Sequence, residues 1–261
     1  MRNALKFAVF ALLLVAAAVA FADDIPSRPE QLKYPNLKFD VPNAEAMRFE
    51  LTDGTPVYAK QDSQFPLVNI SVFFRGGRYL EPAGKAGLAS ITSEVWRTGG
   101  AGDLTAQELD EELDFLAAAL GTNIGEVNGS VSLNVLSKDL DQAMKLFVDV
   151  LTKPRFQEDR FAKAKDDLIQ AMKQRNDDTA DIESREWDRL IYGDDYWLNR
   201  LPTKASVDGI TSQDARDFVT SLVRSGNIVI AVAGDFEPEA MKATLEKMVA
   251  NLEPLEGKLP A

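Results

Sequence analysis

The order in which strand-like and helix-like periodicities follow one another constrains this chain more than any single motif does. Three strand candidates come first, Arg48 to Thr52, Pro56 to Lys60 and Val68 to Phe74. The first two flank Asp53-Gly54, a pair suited to the tight turn of a hairpin. In the third, Val68, Ile70, Val72 and Phe74 alternate with Asn69 and Ser71, so one face is apolar and the other polar. Two helical segments follow, then a predicted hairpin of Gly121 to Val127 and Ser130 to Leu136 around Asn128-Gly129. A block of helices, one buried strand at Asn227 to Ala233 and a last helix opening at Pro238 and running to about Leu252 complete the chain. Segregation of this kind predicts an α+β fold, with an antiparallel or mixed sheet covered mainly on one side by helices. Strict alternation of strand and helix is missing, which argues against a doubly wound sheet.

The helices carry their own punctuation. Thr105-Ala106-Gln107-Glu108 is a capping box, opening a helix that runs to about Ala118. Ser137 is placed to cap the next one, whose buried stripe would be Leu140, Met144, Phe147, Val148 and Leu151, with Pro154 as its stop. Further helices are predicted from Glu158 to about Arg175, from Asp181 to Tyr192 and from Ser212 to Val223.

The stretch from Gly84 to Gly102 holds the chemistry-bearing pattern. Leu88, Ile91, Val95 and Trp96 fall on one face of a helix, while Ser90, Ser93 and Glu94 share another at i, i+3 and i+4. Two metal-binding histidines on a helix need that second spacing, because only residues about one turn apart reach the same ion. The chain has no histidine at all. It has no cysteine either, which removes disulfides, thiol catalysis, lipid attachment at a cleavage site and every Ser-His-Asp or Cys-His nucleophile system.

The N-terminus reads as a leader. Arg2 and Lys6 precede an apolar run from Phe7 to Phe21, and Ala20-Phe21-Ala22 followed by Asp23-Asp24 has the small-x-small form of a signal-peptide cleavage site. The predicted organisation is a signal peptide over 1–22, a proline-containing extended lead-in over 23–45, one domain over 46–255 and a tail or linker over 256–261. Cleavage would release an exported, periplasmic protein with no stable membrane anchor. Without its leader the chain would carry 27 Lys and Arg against 41 Asp and Glu, a net charge of −14. Such a chain repels nucleic-acid phosphate and anionic lipid.

Five strings in this order resemble the insulinase-like M16 metallopeptidase family, which also includes mitochondrial processing peptidase and the core subunits of cytochrome bc1. They are FFRGGRYLEPAGKAGLA at 73–89, LTAQELDEELDFLAAALG at 104–121, VSLNVLSKDLDQAMKLFVDVLTKPRF at 131–156, LIYGDDYWLNRLPTKASVDGITSQDARDFV at 190–219 and NIVIAVAGDFEPEAM at 227–241. The resemblance implies a metallohydrolase-type α+β domain. Active members carry the inverted zinc motif H-x-x-E-H on the helix just after G-L-A, and a further carboxylate ligand on a later helix. Aligned here, Ser90 stands at the first histidine, Ser93 at the glutamate and Glu94 at the second histidine, and the later ligand falls near Gln170 or Ala171. The resemblance therefore implies no catalytic and no metal residue in this chain, and zinc only in a catalytic partner. Without the motif, Ser90, Ser93 and Glu94 are ordinary cleft-facing or solvated helix positions.

What the resemblance implies for function is an exported, non-catalytic subunit with a single copy of the domain. It would pair with a catalytic M16 subunit or a second M16-like domain, and help enclose and bind unfolded peptide by backbone pairing to a sheet edge. Two alternatives stand beside it. One is a component of a zinc-dependent endopeptidase whose metal site comes from another chain. The other is a free-standing peptide-binding or scaffold protein.

Three other features have plainer readings. Asp177-Asp178 and Asp194-Asp195 lack calcium-loop spacing and read as solvated charge or helix caps. Gly99-Gly100-Ala101-Gly102 lacks the Lys-Ser/Thr of a phosphate loop and reads as a helix stop and turn. Trp187, Tyr192, Tyr196 and Trp197 read as core and interface packing, with peptide contact as the alternative.

Overall fold

A computed structural model describes residues 28–32, 34 and 43–257. The signal-peptide reading of 1–22 and most of the lead-in lie outside the described residues. The chain divides into a unit of residues 1–42 and a unit of residues 43–261. The described part of the first contains one 3-10 turn, Pro29–Gln31. Everything below concerns the second.

Six strands form one mixed sheet. They are β1 (Arg48–Glu50), β2 (Pro56–Gln61), β3 (Leu67–Arg75), β4 (Ala119–Ile124), β5 (Asn128–Leu136) and β6 (Ile228–Gly234), in the spatial order β1-β2-β6-β3-β5-β4. All neighbours are antiparallel except β2 and β6. The helices are α1 (Leu88–Thr98), α2 (Ala106–Phe115), α3 (Leu140–Thr152), α4 (Glu158–Gln174), α5 (Thr179–Tyr192), α6 (Lys204–Asp208), α7 (Ser212–Leu222) and α8 (Pro238–Val249).

The alternation in β3 settles which side of the sheet is covered. Val68, Ile70, Val72 and Phe74 are buried, as are Val131, Leu133 and Val135 of β5 and Ile228, Ile230 and Val232 of β6. Because successive side chains point to opposite faces, the other face is left to Asn69, Ser132 and Ala233, with Tyr58, Phe73 and Val229 also exposed there. The sheet is thus covered on one side by helices, and a single core cluster joins it to Leu88, Ile91, Val95 and Trp96 of α1. Trp96 is fully buried, and its Nε1–H donates to the Val150 carbonyl of α3 at 2.8 Å. The wide apolar face read from the sequence is therefore the face that seats α1 on the sheet.

Three local expectations need correction. The hairpin turn lies before Asn128-Gly129, not at it: β4 ends at Ile124 and Asn128 already belongs to β5. The intervening loop is held from outside, because Gly76, Arg78 and Tyr79 donate their N–H groups to the carbonyls of Val127, Gly125 and Glu126 at 2.9, 2.9 and 3.2 Å. These three tertiary hydrogen bonds override the local turn preference of Asn-Gly. Ser137 makes no side-chain cap. It begins a 3-10 turn, Ser137–Asp139, ahead of α3, and its hydroxyl is buried without a hydrogen-bond partner. The helix opened by the Thr105 capping box ends at Phe115, and Ala117 takes a positive φ of 48° as the chain turns into β4. The short helix α6 was not foreseen; Thr203 and Ser206 cap it reciprocally. Past α8, the chain pairs with Ser225 through Glu253 C=O and Leu255 N–H at 3.0 and 2.9 Å.

Candidate functional site: a cleft between α1 and the edge strand β4

The Ser90, Ser93 and Glu94 face of α1 opens into a cleft of about 470 Å³. Its lining comes from two elements, Ser90, Ser93, Glu94, Arg97 and Thr98 on α1 and Gly121, Thr122 and Ile124 on β4. The helical spacing puts the first five on one side, and β4 lies alongside as the free edge of the sheet.

One hydrogen bond ties the two walls together. Ser93 Oγ accepts from the Ile124 N–H at 3.0 Å. The Ile124 amide therefore points away from β5. Gly125, one residue on, sends its N–H to Asn128 C=O at 2.8 Å. In an antiparallel pair these directions alternate residue by residue. The N–H and C=O groups of Thr122, which lines the cleft, and of Leu120, one step beyond it, are accordingly turned outward from the sheet edge, while Gly121 and Asn123 face Ser132 and Ser130 of β5. The cleft thus presents a short row of backbone donors and acceptors.

Its side chains are polar and mostly committed. Arg97 pairs with Asp110 of α2 at 2.6 Å, and Thr98 donates its hydroxyl to the Glu94 carbonyl at 2.7 Å. Lys163 of α4 is hydrogen-bonded to Asp167, which raises its pKa above the ordinary lysine value, and Glu94 adds to that effect. The Glu94 carboxylate is exposed and makes no hydrogen bond or ion pair with the described residues.

Two hydroxyls and one carboxylate are a poor zinc donor set, because catalytic zinc takes three imidazole, thiolate or carboxylate ligands beside its water. Ser93 Oγ is moreover engaged with the β4 backbone. Among the described residues no group of three or more His, Cys, Asp or Glu is placed to hold a metal ion. Gln170 and Ala171 lie exposed on α4 and do not line the cleft. These residues do not fit a zinc centre.

Behind the cleft, the start of α1 is organised by Glu81. Its Oε1 accepts from the N–H groups of Gly87 and Ala89 at 3.1 and 2.8 Å, satisfying donors that the helix N-terminus would otherwise leave orphaned. Glu81 is buried, and that burial raises its pKa above the ordinary 4.5, only partly opposed by the Ala89 amide and the Arg78 charge. A carboxyl raised on folding stabilises the fold fully below 4.5 and loses that contribution as pH rises through its folded value. Glu81→Gln keeps an acceptor oxygen and removes the titration. Urea unfolding at pH 4 and pH 7 should therefore show the Gln variant gaining on the wild type as pH rises. A difference that is flat or falls across that window would refute this account.

The remaining sequence candidates separate cleanly. Asp178 caps α5, its Oδ1 accepting from Ala180 N–H at 2.8 Å, and Asp194 pairs with Arg189 at 3.1 Å. Gly99 ends α1 with its N–H on the Val95 carbonyl. The aromatic group is not core. Tyr192 and Tyr196 stack at 5.0 Å, Trp197 bridges Tyr196 and Tyr79, and Trp187, Leu190 and Ile191 are exposed on α5, which buries no residue. Sequence reasoning missed Arg97 and the β4 wall. Arg97 was detectable, standing one turn after Glu94; the β4 contribution is backbone and leaves no side-chain signature.

Comparison with known proteins agrees with this architecture. The sequence profile of the family described as Insulinase (Peptidase family M16) matches residues 57–187. The non-peptidase homolog YmxG of Helicobacter pylori is 22% identical over 183 residues, which cover 70% of this chain and 42% of that protein. The chain spans about half the length of the curated relatives it matches (42%, 49% and 45%). Among solved structures, a peptidase M16 inactive domain from Pseudomonas fluorescens aligns with a TM-score of 0.72 and 21% identity, covering 82% of this chain and 52% of that one. The periplasmic protease PqqL of Escherichia coli aligns with a TM-score of 0.73 and 16% identity, covering 96% of this chain and 29% of that one.

Proposed function

Because this chain belongs to the insulinase family of M16 peptidases, in a form without the zinc motif, we propose that it is a non-catalytic subunit that holds extended peptide against the free edge of β4. The observation that carries this reading is the Ser93–Ile124 hydrogen bond. At the position where an active member places its general base, this chain uses a hydroxyl to fix the edge strand. The backbone groups of Thr122 are left facing the cleft, and those of Leu120 continue the outward row along the sheet edge. An added strand binds through just such a row, and its affinity needs no special side chain from the receptor.

Pairing with a second M16-like domain completes the reading, and any catalytic zinc belongs to that partner. Two observations support it. The chain spans about half of its relatives, and α5 with the adjoining Tyr196 leaves Trp187, Leu190 and Ile191 uncovered, a composition suited to a partner surface. Export through the leader at 1–22 is part of the proposal. Among the described residues no helix is long and apolar enough to cross a membrane, and one structural neighbour, PqqL, is periplasmic.

Thr122→Pro tests the central claim. The Thr122 N–H points outward, so proline removes a donor that the sheet does not use, and edge strands tolerate proline in that orientation. The full chain should bind a short fluorescein-labelled unstructured peptide, carry no stoichiometric zinc and leave the peptide intact. The proline variant should melt near the wild-type temperature and bind about tenfold more weakly, the worth of one or two strand hydrogen bonds. Unchanged binding by the variant, or zinc-dependent cleavage by the isolated chain, overturns the reading.

A further inference from the structure

We infer that Glu94 makes the β4 cleft selective for peptides carrying a lysine or arginine beside the strand-pairing segment. This rests on the reading that extended peptide lies along β4, and it adds the chemistry of the side chain that the cleft accepts.

The argument is one of unbalanced charge in a confined place. Four ionised groups near the cleft are closed into pairs, Arg97 with Asp110 and Lys163 with Asp167. Lys163 still feels the Glu94 charge, which adds to the rise in its pKa, but its hydrogen-bonded partner is Asp167, and neither cation forms an ion pair with Glu94. Glu94 is left over, its carboxylate exposed, lining the cavity and without a hydrogen-bond or ion-pair partner among the described residues. A carboxylate carries two oxygens that accept hydrogen bonds and none that donate. It is therefore matched by an ammonium or guanidinium group and mismatched by another carboxylate.

The walls suit a long cationic side chain. Ser90 and Gly121 are small, which leaves about 470 Å³ between helix and strand, room for a lysine or arginine stem. The Ser90 and Thr122 hydroxyls line the same space and supply further acceptor oxygens. Arg97 would repel a cation if it were free, but its guanidinium is held by Asp110 at 2.6 Å. The chain as a whole carries a net charge of −12, which draws cationic segments toward it from a distance without choosing where they settle. Glu94 is what makes the choice local.

The test uses three fluorescein-labelled unstructured peptides, identical except for a central Lys, Ala or Glu, titrated by fluorescence anisotropy into the full chain and into Glu94→Gln and Glu94→Lys. An ion pair at a partly open site is worth up to about 1 kcal/mol, so the Lys peptide should bind about three- to fivefold more tightly than the Ala peptide. The Glu peptide should bind most weakly, and the spread should narrow at about 0.5 M salt, where screening acts over a few ångströms. The preference should vanish in Glu94→Gln and invert in Glu94→Lys. Equal binding of all three peptides by the wild type, with Thr122→Pro weakening each, overturns the selectivity and leaves the edge-strand reading standing. A lysine preference that persists in Glu94→Gln assigns it to the overall charge and removes Glu94 from the account. Failure of all three peptides to bind overturns both.

Discussion

Gly129→Ala is expected to destabilise this protein by about 3 kcal/mol or more, although the change adds a single methyl group. The reason is space, not backbone conformation. A Cβ at Gly129 would stand 2.2 Å from the Phe74 ring and 2.5 Å from the Asn123 carbonyl oxygen. Neither neighbour has room to retreat. Asn123 belongs to β4, paired with Ser130 of β5, and moving its carbonyl means moving the edge strand. Phe74 is buried, and its ring lies 5.9 Å from that of Trp96, so a displaced ring is driven toward the back of α1. The collision therefore reaches both walls of the cleft. Gly121→Ala is the control on the same hairpin. Its Cβ would meet nothing closer than Ser132 Oγ at 3.4 Å, an ordinary contact. Thermal unfolding should show the Gly129 variant melting about 6–12 °C below wild type and the Gly121 variant close to it. Equal melting of the two variants would show that β4 and Phe74 yield more easily than their packing implies.

The contrast between these two glycines also shows what the sequence conveyed and what it withheld. Strand β3 and helix α1 were legible because burial imposes a period on side chains. Val68, Ile70, Val72 and Phe74 recur every second residue, and Leu88, Ile91, Val95 and Trp96 follow the helical turn. The one-sided sheet followed from the order of elements. The β4–β5 turn was misplaced because Asn-Gly has a strong local preference, whereas the bonds that decide the register come from Gly76, Arg78 and Tyr79, some fifty residues away in the chain. Ser137 looked like a cap because serine is a good one, yet the chain enters α3 through a 3-10 turn that leaves its hydroxyl unused. At the site, spacing brought Ser90, Ser93 and Glu94 to one face correctly. It did not reveal that Ser93 holds Ile124, since an alignment position says what a residue replaces and not what it has come to touch.

Trp96→Ala should cost more than any other truncation to alanine in α1, about 4–5 kcal/mol, a large share of the 5–15 kcal/mol that holds a domain folded. Trp96 is fully buried between the sheet and α3, so removing it leaves a cavity lined by Phe74 and its neighbours. It also strands the Val150 carbonyl, which receives the indole N–H at 2.8 Å. The two losses are separable. Trp96→Phe retains most of the apolar volume and gives up the hydrogen bond, and should cost about 1–3 kcal/mol. The difference between the variants in urea unfolding then reports the packing contribution alone. If Phe and Ala prove equally damaging, the buried hydrogen bond outweighs the packing; if Phe is neutral, the Val150 carbonyl has found water. The consequence for the cleft follows from where Trp96 sits. It anchors the apolar side of α1, and the opposite side carries the Ser93 hydroxyl that steadies β4. A helix that loses its anchor can no longer hold the edge strand in register, so peptide binding in Trp96→Ala should weaken at temperatures well below its melting point.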